Sequence, residues 1–288
     1  MHVFDPLSNS IDLGFISVQF YALAILTGIL VALWLGYREV KKLRMKPEDL
    51  SDGFTYGLIL GILGARFYYV IYEWQNYKDD ILKAFYIWQG GLAIHGTIIA
   101  VAIFLYFFAK KRGLNIFKYI EVLVPGFLLA QGIGRWGNFF NQEAHGGIVP
   151  GATLDLRREF LDKTLMLPKF IVNQMYLVGP EGLDYYHPTF LYESLWNIVG
   201  FIIMFAVLRN IKKYWIGESL SFYLIWYSLG RFFIEDMRTD SLMLGSIQIA
   251  RLISIVLAVI GIGWLIFRRV KQIYPVSYKD FVKGDVDE

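Results

Sequence analysis

The chain lacks cysteine altogether and has few charged residues, and both shortages narrow what it can do. Without cysteine it can form no disulfide, offer no thiolate to a zinc ion and supply no thiol nucleophile of its own. Any sulfur chemistry must therefore use the sulfur of a substrate. Charged residues make up 18% of the chain, against about 25% in an ordinary soluble domain.

Apolar residues are abundant instead, at 56%, and aromatic residues reach 17%. A bilayer core about 30 Å thick needs about 20 apolar residues per helix. Seven stretches approach that length, near residues 16–36, 53–72, 92–109, 119–134, 189–208, 218–234 and 247–267. The first is too long for the apolar region of a cleaved signal peptide. The sequence therefore predicts an all-α integral membrane protein with seven transmembrane helices.

The basic residues predict the orientation, because cytoplasmic loops carry the Lys/Arg excess. They cluster in every second connection and in the tail: Arg38, Lys41, Lys42, Arg44, Lys46, Lys110, Lys111, Arg112, Lys118, Arg209, Lys212, Lys213, Arg268, Arg269, Lys271, Lys279 and Lys283. We therefore expect an outside N-terminus and a cytoplasmic C-terminus. Residues 138–188 would form a small extracytoplasmic head between helices four and five of a body comprising 1–137 and 189–288. The net charge is only +3, and the basic residues are distributed over several loops. No nucleic-acid partner is therefore expected.

Ionisable side chains inside a membrane are costly and are functional candidates by default. With this orientation Glu121 alone falls on the cytoplasmic side. The groups toward the outer leaflet are Tyr21, Arg66, His95, Arg135, His187, Glu193, Arg231, Glu235 and Arg251. For any one of them, the alternative is a side chain near a helix end that extends to the headgroups.

That alternative does not explain the sixth helix. Tyr227, Arg231, Glu235 and Arg238 are four, four and three residues apart, which keeps them on one helical face. This face is expected to border a polar cavity, with Glu235 orienting Arg231 through their i,i+4 spacing.

The segment from Gln131 to Gly147 is rich in glycine and in hydrogen-bond donors. Arg135, Asn138 and Asn141 follow at i, i+3 and i+6, on one side if the segment is helical. The planar guanidinium fork of arginine suits a phosphate group better than lysine does. Two arginines at one outer-leaflet cavity therefore indicate an anionic headgroup.

Two further patterns have simpler alternatives. Gly53, Gly57, Gly61 and Gly64 predict a groove for close helix packing. The segment from Trp88 to Gly96 is expected to bend and place His95 at the membrane surface, although a lone histidine is more often just hydrogen-bonded.

A metal site is not expected. His145, His187 and Glu143 show no ligand spacing such as HExxH.

At these residues the sequence resembles the bacterial phosphatidylglycerol–prolipoprotein diacylglyceryl transferases, over essentially its whole length. Residues 134–143 match the family signature Gly-Arg-x-Gly-Asn-apolar-apolar-Asn-x-Glu. The stretches 90–96, 187–193 and 227–235 also resemble family motifs, in the same order.

The resemblance implies transfer of diacylglycerol from phosphatidylglycerol to the lipobox cysteine of a prolipoprotein, forming a thioether and releasing glycerol phosphate. It implies a multi-pass enzyme of the bacterial cytoplasmic membrane, whose active site faces the outer leaflet and needs no cofactor. Its partners would be the phospholipid, the lipobox segment and the bilayer.

The resemblance also implies roles for individual residues. Arg135 and Arg231 would hold the lipid phosphate and stabilise the leaving group, and His95 would be the essential histidine. The other matched positions are Tyr21 and Tyr227 in the site wall, Asn138 and Glu143 in the signature, and Glu235 beside Arg231.

The residues leave His95 open as a general base or a positioning group. The pKa of an ordinary thiol lies about two units above that of an ordinary imidazole. Proton transfer from the thiol to a histidine is therefore uphill, but by an amount that catalysis can supply, so the pKa values do not decide between the base role and the positioning role.

Three rival functions would each require a feature of their own. A lipid transporter or flippase would show inverted repeats and polar groups at the midplane. A serine hydrolase would need a Gly-x-Ser-x-Gly motif, and a phosphatidyl-alcohol transferase would need clustered aspartates for a metal. In this sequence the polar groups lie to one side of the predicted midplane, no Gly-x-Ser-x-Gly motif occurs, and no aspartates cluster within the predicted helices.

Overall fold

A computed structural model describes residues 8–14, 17–87 and 90–286. Residue 16 of the first predicted stretch, and Trp88 and Gln89 of the His95 motif, lie outside these ranges. The described part is mostly helical, and its α-helices are α1 (Phe20–Lys42), α2 (Pro47–Tyr72), α3 (Ile94–Arg112), α4 (Ile116–Asn141), α5 (Leu154–Glu159), α6 (Lys169–Gln174), α7 (Thr189–Ile202), α8 (Ser219–Glu235), α9 (Ile249–Lys271) and α10 (Tyr278–Lys283).

Short strands form antiparallel hairpins between helices. They are β1 (Ser10–Asp12) with β2 (Ser17–Gln19), β3 (Tyr176–Gly179) with β4 (Gly182–Tyr185), and β5 (Met243–Leu244) with β6 (Ile247–Gln248). Helical turns also occur at Trp74–Asn76, Ile81–Phe85, Phe160–Thr164, Ile203–Val207 and Leu208–Asn210.

Within the described ranges, six helices are long and apolar enough to cross a membrane: Phe20–Lys42, Pro47–Tyr72, Ile94–Arg112, Ile116–Asn141, Thr189–Asn210 and Ile249–Lys271. The chain is therefore an integral membrane protein. The remaining predicted stretch, 218–234, is helical as α8 but has only 17 residues, the lower limit for a span. The fourth stretch is longer than predicted, because the helix continues to Asn141, inside the predicted head.

The chain forms two compact units, one of residues 36–119 and the other of residues 1–35 and 120–288. In the unit of residues 36–119, the predicted glycine groove is confirmed. Gly57 and Gly61 of α2 face Phe104, Thr97 and Val101 of α3, and a Cβ on Gly64 would overlap Ala100. Small residues thus allow the two backbones to approach closely, as in other membrane helix pairs.

Arg66 fixes the connection between α2 and α3. It is 7% exposed, and its guanidinium donates to the carbonyls of Lys83, Ala84, Gly90 and Gly91 at 2.7–3.0 Å. A charged group in this position is stabilised by satisfying several loop carbonyls at once. Arg66 therefore has a structural role in this unit.

In the other unit, the costly Glu121 of α4 is fully satisfied. Its buried carboxylate accepts hydrogen bonds from Arg209 Nε at 2.9 Å, Tyr214 Oη at 3.1 Å and the Gly217 amide at 2.9 Å. A buried charge is tolerated when it is paired and hydrogen-bonded in this way. This explains how a predicted span can contain a glutamate.

The segment between α4 and α7 shares one apolar core with the ends of these helices. Phe139 of α4 and Phe190 of α7 pack with ring centroids 4.9 Å apart. The core also contains Val149, Leu161, Ile171, Val172, Met175, Leu177, Tyr185, Tyr186 and Leu191. This packing holds the ends of α4 and α7 together, where the candidate site lies.

Candidate active site

Glu193, in the first turns of α7, is the centre of an arginine cluster. Its side chain is 6% exposed, and its two oxygens contact three guanidinium groups. Arg135 Nη2 of α4 lies 2.5 Å from Oε2, while Arg231 Nη1 and Arg238 Nη1 lie 3.0 and 3.3 Å from Oε1. One carboxylate thus joins α4, α7 and the end of α8.

Two further carboxylates complete the cluster. Arg231 Nη2 lies 2.6 Å from Glu235 Oε2, so the predicted i,i+4 pair is present. Arg238 donates from Nε and Nη2 to the two oxygens of Asp240, at 2.9 and 2.7 Å. Burial acts to raise the pKa of Asp240, but the hydrogen bonds from Arg238 outweigh it and lower that pKa.

The backbone around Gly146 positions Arg238. The Gly146 amide donates to the His187 carbonyl at 2.9 Å, and the Gly147 amide donates to the Met237 carbonyl at 3.0 Å. A Cβ on Gly146 would lie 2.7 Å from the Cβ of His187 and 3.0 Å from the Met237 oxygen. Only glycine lets these three segments meet this closely.

The signature residues at the end of α4 form a defined helix terminus. Gln142 adopts a left-handed conformation, with φ of 52°, and the Glu143 amide donates to the Asn138 carbonyl at 3.0 Å. This pattern satisfies the last helical carbonyls. Glu143 is exposed, and its Oε1 accepts from Asn141 Nδ2 at 3.3 Å. Among the described residues, no side-chain hydrogen bond joins Asn138 or Glu143 to the arginine cluster.

Both predicted tyrosines lie in the same unit as the cluster. Tyr21, at the start of α1, packs its ring on Gly137, where a Cβ would lie 2.5 Å from the ring. Tyr227 lies one turn before Arg231 on α8 and stacks on Tyr223, with centroids 5.7 Å apart. The phenol of Tyr223 in turn donates to Gln131 Oε1 of α4 at 3.2 Å.

His95 belongs to the other unit, in the first turn of α3. Its imidazole is exposed and lies beside Tyr68, with ring centroids 5.9 Å apart. The next residue, Gly96, packs closely on Gly64. This contact fixes the start of α3 against α2. Ahead of it, Gly90 and Gly91 have φ of 84° and 73°, conformations that favour glycine.

His187 and His145 contact groups close to them in the sequence. His187 Nδ1 lies 3.0 Å from Tyr192 Oη, and burial lowers the pKa of this histidine. His145 Nδ1 contacts the Gly146 carbonyl at 2.9 Å. In the part of the chain that the structure describes, no three His, Cys, Asp or Glu side chains are grouped so that they could hold a metal ion.

The predicted site residues omit the group that organises the cluster. The sequence places Glu193 near the start of a span and within a motif, and Arg238 on the polar face of the sixth predicted helix, but it predicts no contact between them and no part for Asp240. The available signal was charge balance, because buried arginines on two helices need a shared counter-charge. Spacing along a single helix does not reveal a carboxylate supplied by another helix.

The chain is similar to known proteins of a single family. The family model described as "Prolipoprotein diacylglyceryl transferase" matches residues 8–267. A phosphatidylglycerol--prolipoprotein diacylglyceryl transferase of Bacillus cereus is 48% identical over 261 residues, covering 90% of this chain and 91% of its own. Enzymes with the same name from Listeria innocua and Staphylococcus haemolyticus are 43% and 42% identical over 276 and 281 residues, covering 96% and 97% of this chain and 94% and 93% of theirs. The chain therefore belongs to the prolipoprotein diacylglyceryl transferase family.

Proposed function

We propose that the arginine cluster around Glu193 binds the phosphate of phosphatidylglycerol while the diacylglyceryl group passes to a prolipoprotein cysteine. The names of the relatives supply the two substrates. The observation that carries the proposal is the convergence of Arg135 and Arg231, from different helices, on one buried carboxylate. Convergent arginines are suited to a phosphate group.

The charge change in the reaction explains the need for two arginines. The cysteine sulfur attacks the diacylglycerol carbon that is bonded to the phosphate oxygen, and that C–O bond breaks. A thioether forms, and the phosphodiester leaves as glycerol phosphate, a monoester with one more negative charge. Guanidinium groups placed where this charge develops stabilise the transition state, and the effect is large in a poorly hydrated site.

Arg135 has donors to spare for this role. Only its Nη2 contacts Glu193, and within the described residues the guanidinium has no other hydrogen-bond or ion-pair partner. The Nε and Nη1 donors can therefore bind a phosphate oxygen while Glu193 holds the group in place. Asn138, Glu143, Glu235, Tyr21 and Tyr227 are proposed to complete the substrate site, as the family motifs imply.

The proposal includes an orientation in the membrane. With α8 as the remaining span, seven helices cross the bilayer, and the basic loops lie in the cytoplasm under the positive-inside rule. The N-terminus is then extracytoplasmic. Residues 138–188, which connect the body segments 1–137 and 189–288, are extracytoplasmic as well. Glu193, at the start of α7, and Arg231, near the end of α8, fall at the outer leaflet.

The same reaction needs a group that deprotonates or positions the thiol, and the family motif assigns His95 to it. If His95 is the base, we expect His95→Gln to lose far more activity at pH 7 than at pH 9. An ordinary thiol has a pKa of about 8.5 and is mostly thiolate at pH 9. The measurement is the initial transfer rate at both pH values, normalised to the unsubstituted protein. An equal loss at both would contradict the base role and favour positioning.

The direct test uses purified protein, headgroup-labelled phosphatidylglycerol and a lipobox peptide. We expect labelled glycerol phosphate and thioether-linked peptide in equal amounts, because a single C–O cleavage produces both. A peptide with serine in place of the cysteine is the matched control and should release no label. Release without peptide modification, or movement of intact lipid between leaflets alone, would favour a hydrolase or a flippase and overturn the proposal.

A further inference from the structure

Two tryptophans join α7 and α8 in a reciprocal arrangement that the reaction itself does not use. The indole of Trp196 donates from Nε1 to the Trp226 carbonyl at 2.8 Å, and Trp226 Nε1 donates to the Trp196 carbonyl at 2.9 Å. The two rings stack with centroids 4.4 Å apart and planes inclined by 18°. We call this pair the indole clasp.

Each indole lies against a glycine of the opposite helix. A Cβ on Gly200 of α7 would overlap the Trp226 ring, and a Cβ on Gly230 of α8 would overlap the Trp196 ring. In both helices the glycine follows the tryptophan by four residues, one helical turn further along the same face. The clasp therefore has matching halves and fixes the two helices both in separation and in register.

The clasp lies one turn from the ion pairs of the candidate site. Trp196 follows Glu193 by three residues on α7, and Gly230 directly precedes Arg231 on α8. A change in the position of α7 along α8 therefore moves the Glu193 carboxylate relative to the Arg231 guanidinium, now 3.0 Å apart. A shift of one ångström is enough to impair a site that depends on such geometry.

A membrane environment makes this clasp effective. Lipid offers no competing hydrogen-bond partners, so an indole N–H that loses its carbonyl has nothing to replace it. Stacking of the aromatic rings adds to the attraction beyond the area they bury. The paired donors and the paired rings favour one register over its neighbours.

We propose that Trp196 and Trp226 are positioning residues that hold Glu193 and Arg231 in the arrangement needed to bind the lipid phosphate. They act through the α7–α8 register, without touching substrate. The inference rests on the proposed function, because it assigns the register a task at that site.

The test is built on Trp196→Phe, which keeps an aromatic ring but removes the indole donor. We expect kcat/KM for phosphatidylglycerol to fall about tenfold, equivalent to about 1.4 kcal/mol. Trp264→Phe is the matched control, since Trp264 lies on α9 and stacks on Phe267, with centroids 5.9 Å apart. This control should stay within about twofold of the unsubstituted protein.

A spectroscopic measurement reports the register directly. Because the chain has no cysteine, spin labels can be attached at Leu195→Cys on α7 and Leu229→Cys on α8, two exposed positions. We expect Trp196→Phe to broaden or shift the distance distribution between the labels, and Trp264→Phe to leave it unchanged. An unchanged distribution in Trp196→Phe would overturn the clasp, and a changed distribution with full activity would overturn its positioning role.

A double-mutant cycle separates positioning from a general loss of stability. In a Glu193→Gln background the ion pair is already weakened, so Trp196→Phe should cost less than about twofold more if it acts through that pair. A full additional tenfold loss would show an effect independent of Glu193 and contradict the inference. Failure of the proposed function would appear differently, as normal activity in an Arg135 variant, while the label distances would still decide whether the clasp holds α7 to α8.

Discussion

Arg135→Lys is expected to lower kcat/KM for diacylglyceryl transfer by about 100-fold, although the positive charge is kept. Lysine carries one compact ammonium group and cannot donate to Glu193 and to a phosphate oxygen in the planar geometry of a guanidinium. The Nη2 of Arg135 lies 2.5 Å from Glu193 Oε2, so the remaining donors are directed by that contact. The measurement is the transfer rate to a lipobox peptide at saturating and limiting lipid.

Arg251→Lys is the matched control for this substitution. Arg251 also pairs with a carboxylate, Asp236 at 2.7 Å, but that carboxylate is 68% exposed. Exposed ion pairs contribute little, so the control should remain within about twofold of the unsubstituted protein. Near-normal activity of Arg135→Lys would refute the assignment of Arg135 as a phosphate ligand.

Glu193→Gln should be equally damaging, by about 100-fold in kcat/KM, and should also lower the melting temperature. The amide keeps the shape of the side chain but removes the charge that neutralises Arg135, Arg231 and Arg238. Arg231 and Arg238 keep Glu235 and Asp240 as partners, whereas Arg135 loses the carboxylate that it contacts. Removing one partner of a buried ion pair costs about 3–5 kcal/mol, because the charge that remains is buried without compensation. Thermal unfolding in detergent and transfer kinetics on the same preparation measure the two effects.

Asp240→Asn provides the comparison for Glu193→Gln. Asp240 also pairs with Arg238, but its side chain is 52% exposed, and without it Arg238 keeps its contact with Glu193 at 3.3 Å. We expect less than about a tenth of the effect on kcat/KM. Equal losses in the two variants, or an unaffected Glu193→Gln, would show that Glu193 does not organise the cluster.

Several features were predictable because they depend on local patterns. Apolar runs of span length located the membrane helices to within a few residues at most ends, and α8 also has its predicted place. The four-residue spacing on α8 predicted the Arg231–Glu235 pair, because such neighbours lie on one helical face. The glycine spacing on α2 likewise predicted its close contact with α3.

Other features could not be derived from local patterns. Glu121 is unfavourable in an apolar span by sequence, yet Arg209, Tyr214 and Gly217, about 90 residues further along, donate hydrogen bonds to its carboxylate. As an ionisable residue in a predicted span, Arg66 is a functional candidate by sequence, but its partners are loop carbonyls that any residue type could supply. A sequence shows that a buried charge needs partners, but it does not show which distant groups provide them.

Composition and motifs alone are enough to place this protein in a membrane, to show that any reactive thiol comes from a substrate, and to reveal the family that it resembles. These conclusions follow from composition and from motifs that are contiguous or at helical spacing. The contacts of Glu193 with three arginines, and of Trp196 with Trp226 between α7 and α8, are visible only in the folded chain. Both arrangements depend on the register between separate helices. Interhelical packing sets that register, and the spacing of residues along one helix carries no information about it.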